Sequence, residues 1–216
     1  MNTNFLKIIL ANFLLAVTSF ANAGLITVND TTEVGVLTLD ESFTSFYDYR
    51  NSSAHTGYEK EATAVMFLAE SQGDLALFTL LDAGGTNHTR RSAELIISDF
   101  DLSNVLLVDE ASESTNMGFS WSWVKCCTDG MIYQIIDKDN FDIDFEFSEV
   151  VGLANFEFLS FSSNTQLPDV ISVSNSFSIQ SGQNSLQIQS VPEPSTLAIL
   201  ALGIIGLASR RFKKQF

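Results

Sequence analysis

The stretch Phe141-Asp142-Ile143-Asp144-Phe145-Glu146-Phe147 sets an apolar residue at every odd position and a carboxylate at every even one. Period two sends the apolar side chains to one side and the acids to the other, as in a strand with one wet face. Toward the C-terminus, Phe156 and Phe158, then 171–173 and 177–179, continue the pattern, and Leu186 with Ile188 predicts a last short strand. Toward the N-terminus, 64–69 and 75–81 are apolar runs separated by Ser71-Gln72-Gly73-Asp74, a hairpin signal. Runs at 93–97 and 105–108 follow, split by a polar segment at 98–104. The runs 121–127 and 131–136 flank Thr128-Asp129-Gly130, where Asp129-Gly130 suits a tight primed turn.

No segment outside the two termini keeps a 3.6-residue period for three turns. Many short strands with turn residues between them predict an all-β fold, an antiparallel β-sandwich of jelly-roll or immunoglobulin-like topology. The 18 phenylalanines give such a core its bulk without help from the two cysteines.

Two terminal segments bracket this region. Residues 1–23 read as a secretory signal peptide. Lys7 and the amino terminus supply the positive end and residues 8–17 the apolar centre. Ala21-Asn22-Ala23 forms a small-x-small cleavage site ahead of Gly24. Signal peptidase and the Sec translocon are the partners this implies. Residues 24–190 then form one domain, long enough for a proper core.

The other terminus, 191–216, reads VPEPSTLAILALGIIGLASRRFKKQF. Pro192-Glu193-Pro194 stops any helix running in from upstream, because proline removes a backbone donor and biases its predecessor to an extended form. Ser195 or Thr196 caps a charge-free helix that reaches Ser209, about 22 Å long at ~1.5 Å per residue. That is shorter than a hydrocarbon core of ~30 Å, so this transmembrane helix relies on snorkelling or bilayer thinning. Arg210, Arg211, Lys213 and Lys214 remain cytoplasmic by the positive-inside rule, leaving the domain on the far side.

Pro192-Glu193-Pro194, a short apolar span and an Arg-rich end together resemble the PEP-CTERM sorting signal of Gram-negative exported proteins. The resemblance covers only this tail. It implies recognition by an exosortase-type membrane transpeptidase, removal of the tail after an inner-membrane intermediate, and delivery to the cell surface or an exopolysaccharide matrix.

Charge agrees with export and excludes one class of partner. Of 26 acidic and 11 basic residues, only Glu193, Lys7 and the four tail cations lie in the two terminal segments, leaving 25 acids against 6 bases between them. Such a surface repels nucleic acid and anionic lipid.

Candidate chemistry in the domain is sparse. Cys126 and Cys127 are adjacent and are the chain's only cysteines, which leaves three options open. They form a strained vicinal disulfide, two buried thiols, or an intermolecular link. Trp121 and Trp123 share one strand face, and if exposed they form a platform for sugar rings; core packing is the rival reading.

Residues 137–144 carry five oxygen-bearing side chains but lack the glycine and glutamate spacing of an EF-hand, so calcium is a weak option and no other cofactor is indicated. His55 and His88 lie in polar loops without metal-ligand spacing, and no G-x-S-x-G elbow occurs. The expectation is a non-enzymatic structural or adhesive component of an exopolysaccharide or biofilm matrix. The alternatives are a carbohydrate-binding module using Trp121 and Trp123, and a glycan-active enzyme with a carboxylate pair that meets only in space.

Overall fold

The computed structural model describes residues 25–83, 90–124, 127–162 and 167–182. In chain order the strands are β1 (Ile26–Val28), β2 (Thr32–Glu33), β3 (Leu37–Leu39), β4 (Thr63–Ser71), β5 (Asp74–Leu81), β6 (Arg90–Ile97) and β7 (Val105–Val108). They continue with β8 (Gly118–Val124), β9 (Asp129–Ile135), β10 (Asp142–Val151), β11 (Asn155–Ser160), β12 (Asp169–Ser172) and β13 (Ser176–Ser181). One short helix, α1 (Phe43–Tyr47), lies between β3 and β4. The predicted strand around Leu186 and Ile188, the signal peptide and the C-terminal helix lie outside the described residues. No helix among the described residues is long and apolar enough to cross a membrane.

Two sheets face each other. The first runs β2-β1-β13-β10-β6-β8, and the second β12-β11-β4-β5-β9-β7 with β3 also on β4. Their facing sides share one apolar core that includes Val28, Leu95, Trp121 and Phe145 from the first sheet and Met66, Leu77, Met131 and Phe158 from the second. The stretch that predicts a wet-faced strand is the N-terminal part of β10: Phe145 and Phe147 are buried while Asp144 and Glu146 are exposed. Phe145 pairs with Phe177 of β13, and the two rings stack with centroids 5.1 Å apart.

A second apolar layer lies on the other side of the second sheet. Phe43 and Tyr47 of α1, with Ala54 and Phe161, cover Val65, Phe67, Phe78, Leu80 and Ile132. Strands β4 and β5 are thus buried on both faces, which is why their sequences are continuous apolar runs rather than alternations. They form the expected hairpin, with Ser71 opposite Asp74. Both turn residues, Gln72 at φ 54° and Gly73 at φ 92°, take the left-handed conformation of a primed turn.

Two expectations are corrected. The sandwich is not wholly antiparallel, because β11 and β3 both run parallel to β4, along different parts of the same strand. Neither strand follows β4 directly in sequence, so no tight turn forces the antiparallel sense. Nor do β8 and β9 form a hairpin. β8 pairs with β6 in the first sheet, whereas β9 pairs with β5 and β7 in the second. Thr128 explains the difference. It is buried, its N–H donates to Ser53 Oγ at 2.9 Å, and its carbonyl accepts from Ala54 N–H at 3.4 Å. The chain is therefore held to the loop at 53–54, and Asp129-Gly130 opens a strand instead of turning.

The sheets are also joined by a buried ion pair. Asp82, just after β5, meets Arg91 of β6 at 2.9 Å, with side chains 0% and 8% exposed. The two atoms in contact are not aligned for a hydrogen bond. Asp82 Oδ1 accepts from Ala62 N–H at 2.7 Å, which fixes the carboxylate from its other side.

Candidate functional site

The most concentrated polar chemistry among the described residues sits at one end of β9, where α1 and the segment after β7 converge. Ser42 caps α1, its side chain accepting from Ser45 N–H. The i, i+4 spacing of Phe43 and Tyr47 then buries both against the second sheet. Tyr47 is fully buried, and its hydroxyl donates to Asp109 Oδ1 at 2.8 Å. β7 delivers Asp109: Val108 pairs with Met131 of β9, so the residues following Val108 run alongside Gly130 and Asp129.

A short 3-10 turn at Ala111–Glu113 then folds Glu113 back, and its Oε2 accepts from Glu110 N–H at 3.0 Å. Gly130 makes room for this arrangement. A Cβ there would lie 2.1 Å from the Thr79 carbonyl oxygen and 2.7 Å from the Tyr47 hydroxyl.

The result is a group of carboxyls that repel one another. Burial pushes Asp109 up to about 8; the Tyr47 hydrogen bond opposes it, and the charges of Asp129 and then Glu113 add smaller increases. Burial and then the Asp129 charge push Glu113 up to about 7. Burial and then the Glu110 charge push Asp129 up to about 6. Tyr47 is raised well above its ordinary value, by burial first and Asp109 second. Beside the group is a cavity of about 220 Å³ lined by Tyr49, Ser52, Glu110, Glu113, Trp123 and Asp129. Groups with such values hold protons near neutrality, as general acids do. Among the described residues no three His, Cys, Asp or Glu side chains converge as a metal site.

The residues singled out from the sequence lie elsewhere or play other parts. Trp121 and Trp123 are 1% and 5% exposed, so they are core and offer no sugar platform. Along β8 the residues Phe119, Trp121 and Trp123 point inward while Ser120, Ser122 and Val124 face out. Phe119 and Trp121 stack at 5.2 Å, and neither indole N–H has an acceptor.

Cys127 borders the cavity and is disulfide-bonded. Cys126, the only other cysteine of the chain, lies outside the described residues. His55 is exposed with Nδ1 3.2 Å from the Asp48 carbonyl, and His88 lies outside the described residues. The acids at 137, 139, 142 and 144 are exposed on a turn and on the outer side of β10. Of the clustered acids, only Asp129 stands out in the sequence, and there it reads as a turn residue. Asp109 and Glu113 carry no motif of their own.

Pro192, Glu193, Pro194, Arg210, Arg211, Lys213, Lys214, Ala21, Ala23 and Gly24 also lie outside the described residues, so the sequence itself is what speaks for them. No curated protein and no solved structure matches the chain. Residues 190–214 match the PEP-CTERM protein-sorting motif. The chain thus carries a PEP-CTERM sorting signal at its C-terminal end, which makes it an exported, exosortase-sorted protein.

Proposed function

We propose that the protein is a non-enzymatic structural or adhesive component of the cell surface or of an extracellular exopolysaccharide matrix. The observation that carries this reading is the sorting motif at 190–214, attached to a β-sandwich. On this reading the signal peptide directs export, the apolar span holds the chain in the inner membrane, and the transpeptidase removes the tail. The acidic domain keeps the released chain soluble and away from anionic surfaces.

Replacing Pro192-Glu193-Pro194 with three alanines tests the sorting step. Export should persist, but the protein should stay in the inner membrane at its unprocessed mass. Normal release of the variant would overturn the reading. The matrix role is tested by applying the processed protein to a polysaccharide array. Retention without release of reducing ends supports an adhesive component. Reducing sugar released by wild type but not by Glu113→Gln would instead make the carboxyl group at β9 the centre of a glycan-active enzyme.

A further inference from the structure

The cavity at the end of β9 is lined by two unlike sets of groups. Tyr49, which follows α1, and Trp123 and Val124, at the end of β8, give it aromatic and aliphatic surface. Glu110 and Glu113 from the segment after β7, and Asp129 at the start of β9, give it carboxyls. Glu113 and Asp129 are 8% and 9% exposed. The Glu110 N–H occupies one Glu113 oxygen, whereas no N–H or hydroxyl among the described residues donates to the Asp129 carboxyl. A buried carboxyl that lines a cavity without such a partner costs stability unless a ligand there meets it.

We propose that the cavity binds a small organic ammonium ion, its N–H groups on Glu113 and Asp129 and its carbon body against the rings of Tyr49 and Trp123. Charge selects this class of ligand. The ion pairs among the described residues join Asp48 to Arg50, Glu157 to Lys60, Asp82 to Arg91 and Glu70 to Lys138, and none reaches these carboxyls. An ammonium group brings the missing positive charge and several N–H donors to groups that accept hydrogen bonds when ionised. Aromatic rings also attract a cation over their faces. A bare metal ion fits less well, since among the described residues no three His, Cys, Asp or Glu side chains converge closely enough to ligate one. Size agrees as well. A cavity of about 220 Å³ holds roughly seven waters at ~30 Å³ each, the room that a small ring or short chain needs.

Occupancy is coupled to protons. Burial, then the charge of a neighbouring acid, holds Glu113 up to about 7 and Asp129 up to about 6, so both carry protons at acid pH in the empty cavity. An ammonium ion favours their carboxylate forms, lowers both values and drives the protons into solvent. Binding is therefore weak at acid pH, where protons compete, and strengthens as pH rises through about 6 to about 7. The other titratable groups facing the site are Tyr47 and Tyr49 from α1 and its end, and Asp109 and Glu110 from the segment after β7. β8 itself supplies none. Each of these groups is neutral or negative, so none replaces the charge of the ligand.

Cyclohexylammonium and its neutral isostere cyclohexanol, each titrated calorimetrically into the processed protein at pH 5 and pH 8.5, test the site. At the higher pH the ammonium ion should bind on the order of tenfold or more tightly than the alcohol, and its affinity should fall by a similar factor at the lower pH. NMR shifts on binding should centre on Tyr49, Glu113, Trp123 and Asp129. Glu113→Gln and Asp129→Asn should each remove most of the preference for the charged probe. No binding of the ammonium ion, equal affinity for the two probes, equal affinity at the two pH values, or shifts centred elsewhere would overturn the proposal. Calcium taken up by the same residues in place of the ammonium ion would overturn it too. Should either variant fail to fold, the isostere and pH comparisons on wild type decide.

Discussion

Asp82→Asn should be among the most damaging single isosteric changes in this domain. The asparagine oxygen still accepts from Ala62 N–H, so the 2.7 Å bond can persist and the side chain keeps its volume. What disappears is the charge opposite Arg91, whose side chain is 8% exposed. The new amide also presents donors toward a group that only donates.

Removing one partner of a buried pair costs about 3–5 kcal/mol, because the remaining charge is left uncompensated. Set against a total stability of about 5–15 kcal/mol for a typical domain, that loss is severe. Urea denaturation followed by tryptophan fluorescence should show it as a lower midpoint with an unchanged slope. Arg91→Met alone should also destabilise, by stranding the Asp82 carboxylate. The double variant Asp82→Asn/Arg91→Met should recover most of the loss, since a buried pair replaced as a unit is often close to neutral. A cost below about 1 kcal/mol for Asp82→Asn, or strict additivity in the double variant, would refute this reasoning, because either result marks a screened surface pair.

Gly130→Ala should cost about 1–3 kcal/mol or more, since its Cβ meets the Thr79 carbonyl and the Tyr47 hydroxyl, and circular dichroism melting checks it. The processed protein should be monomeric and give no alkylatable thiol after denaturation, then two on reduction. Two thiols before any reductant would show that Cys127 has no bonded partner. Protease added to spheroplasts of a strain lacking the transpeptidase should digest the domain and spare the end bearing Arg210 to Lys214. Protection of the domain would mean that the orientation is inverted.

The sheets were readable wherever one rule governed both the sequence and the packing. In β10, Phe145 and Phe147 alternate with acids because one face meets the core and the other meets water. In β4 and β5 the unbroken apolar run reflects burial on both faces, yet nothing in Ala64 to Ala69 says what provides the second cover. That cover is α1, five residues long, too short for helical periodicity to stand out. No hairpin joins β8 to β9, although Asp129-Gly130 has good turn chemistry. A turn dipeptide states a local preference, and Thr128 overrides it through partners some 75 residues away in sequence.

The two functional features differ in legibility for a physical reason. A sorting signal is read by machinery that meets an extended or membrane-held segment. Its proline pair, apolar span and cations must therefore follow one another along the chain, and the sequence displays them in order. The carboxyl group at β9 has no such order. Tyr47, Asp109, Glu113 and Asp129 come from a helix, a loop, a 3-10 turn and a strand. They meet because β7 pairs with β9 in one register and because Gly130 leaves space for a phenol above it.

In a chain with 26 acids, no spacing distinguishes these from carboxylates that stay in water. What distinguishes them is burial without a cation, and burial is a property of the fold. The same contrast predicts how the two features fail. Substitutions in the tail should act on sorting and leave the β-sandwich intact. Gly130→Ala, beside Asp129 and against the Tyr47 hydroxyl, should disturb the proton affinity of the carboxyls through the position of Tyr47, before the sheets come apart.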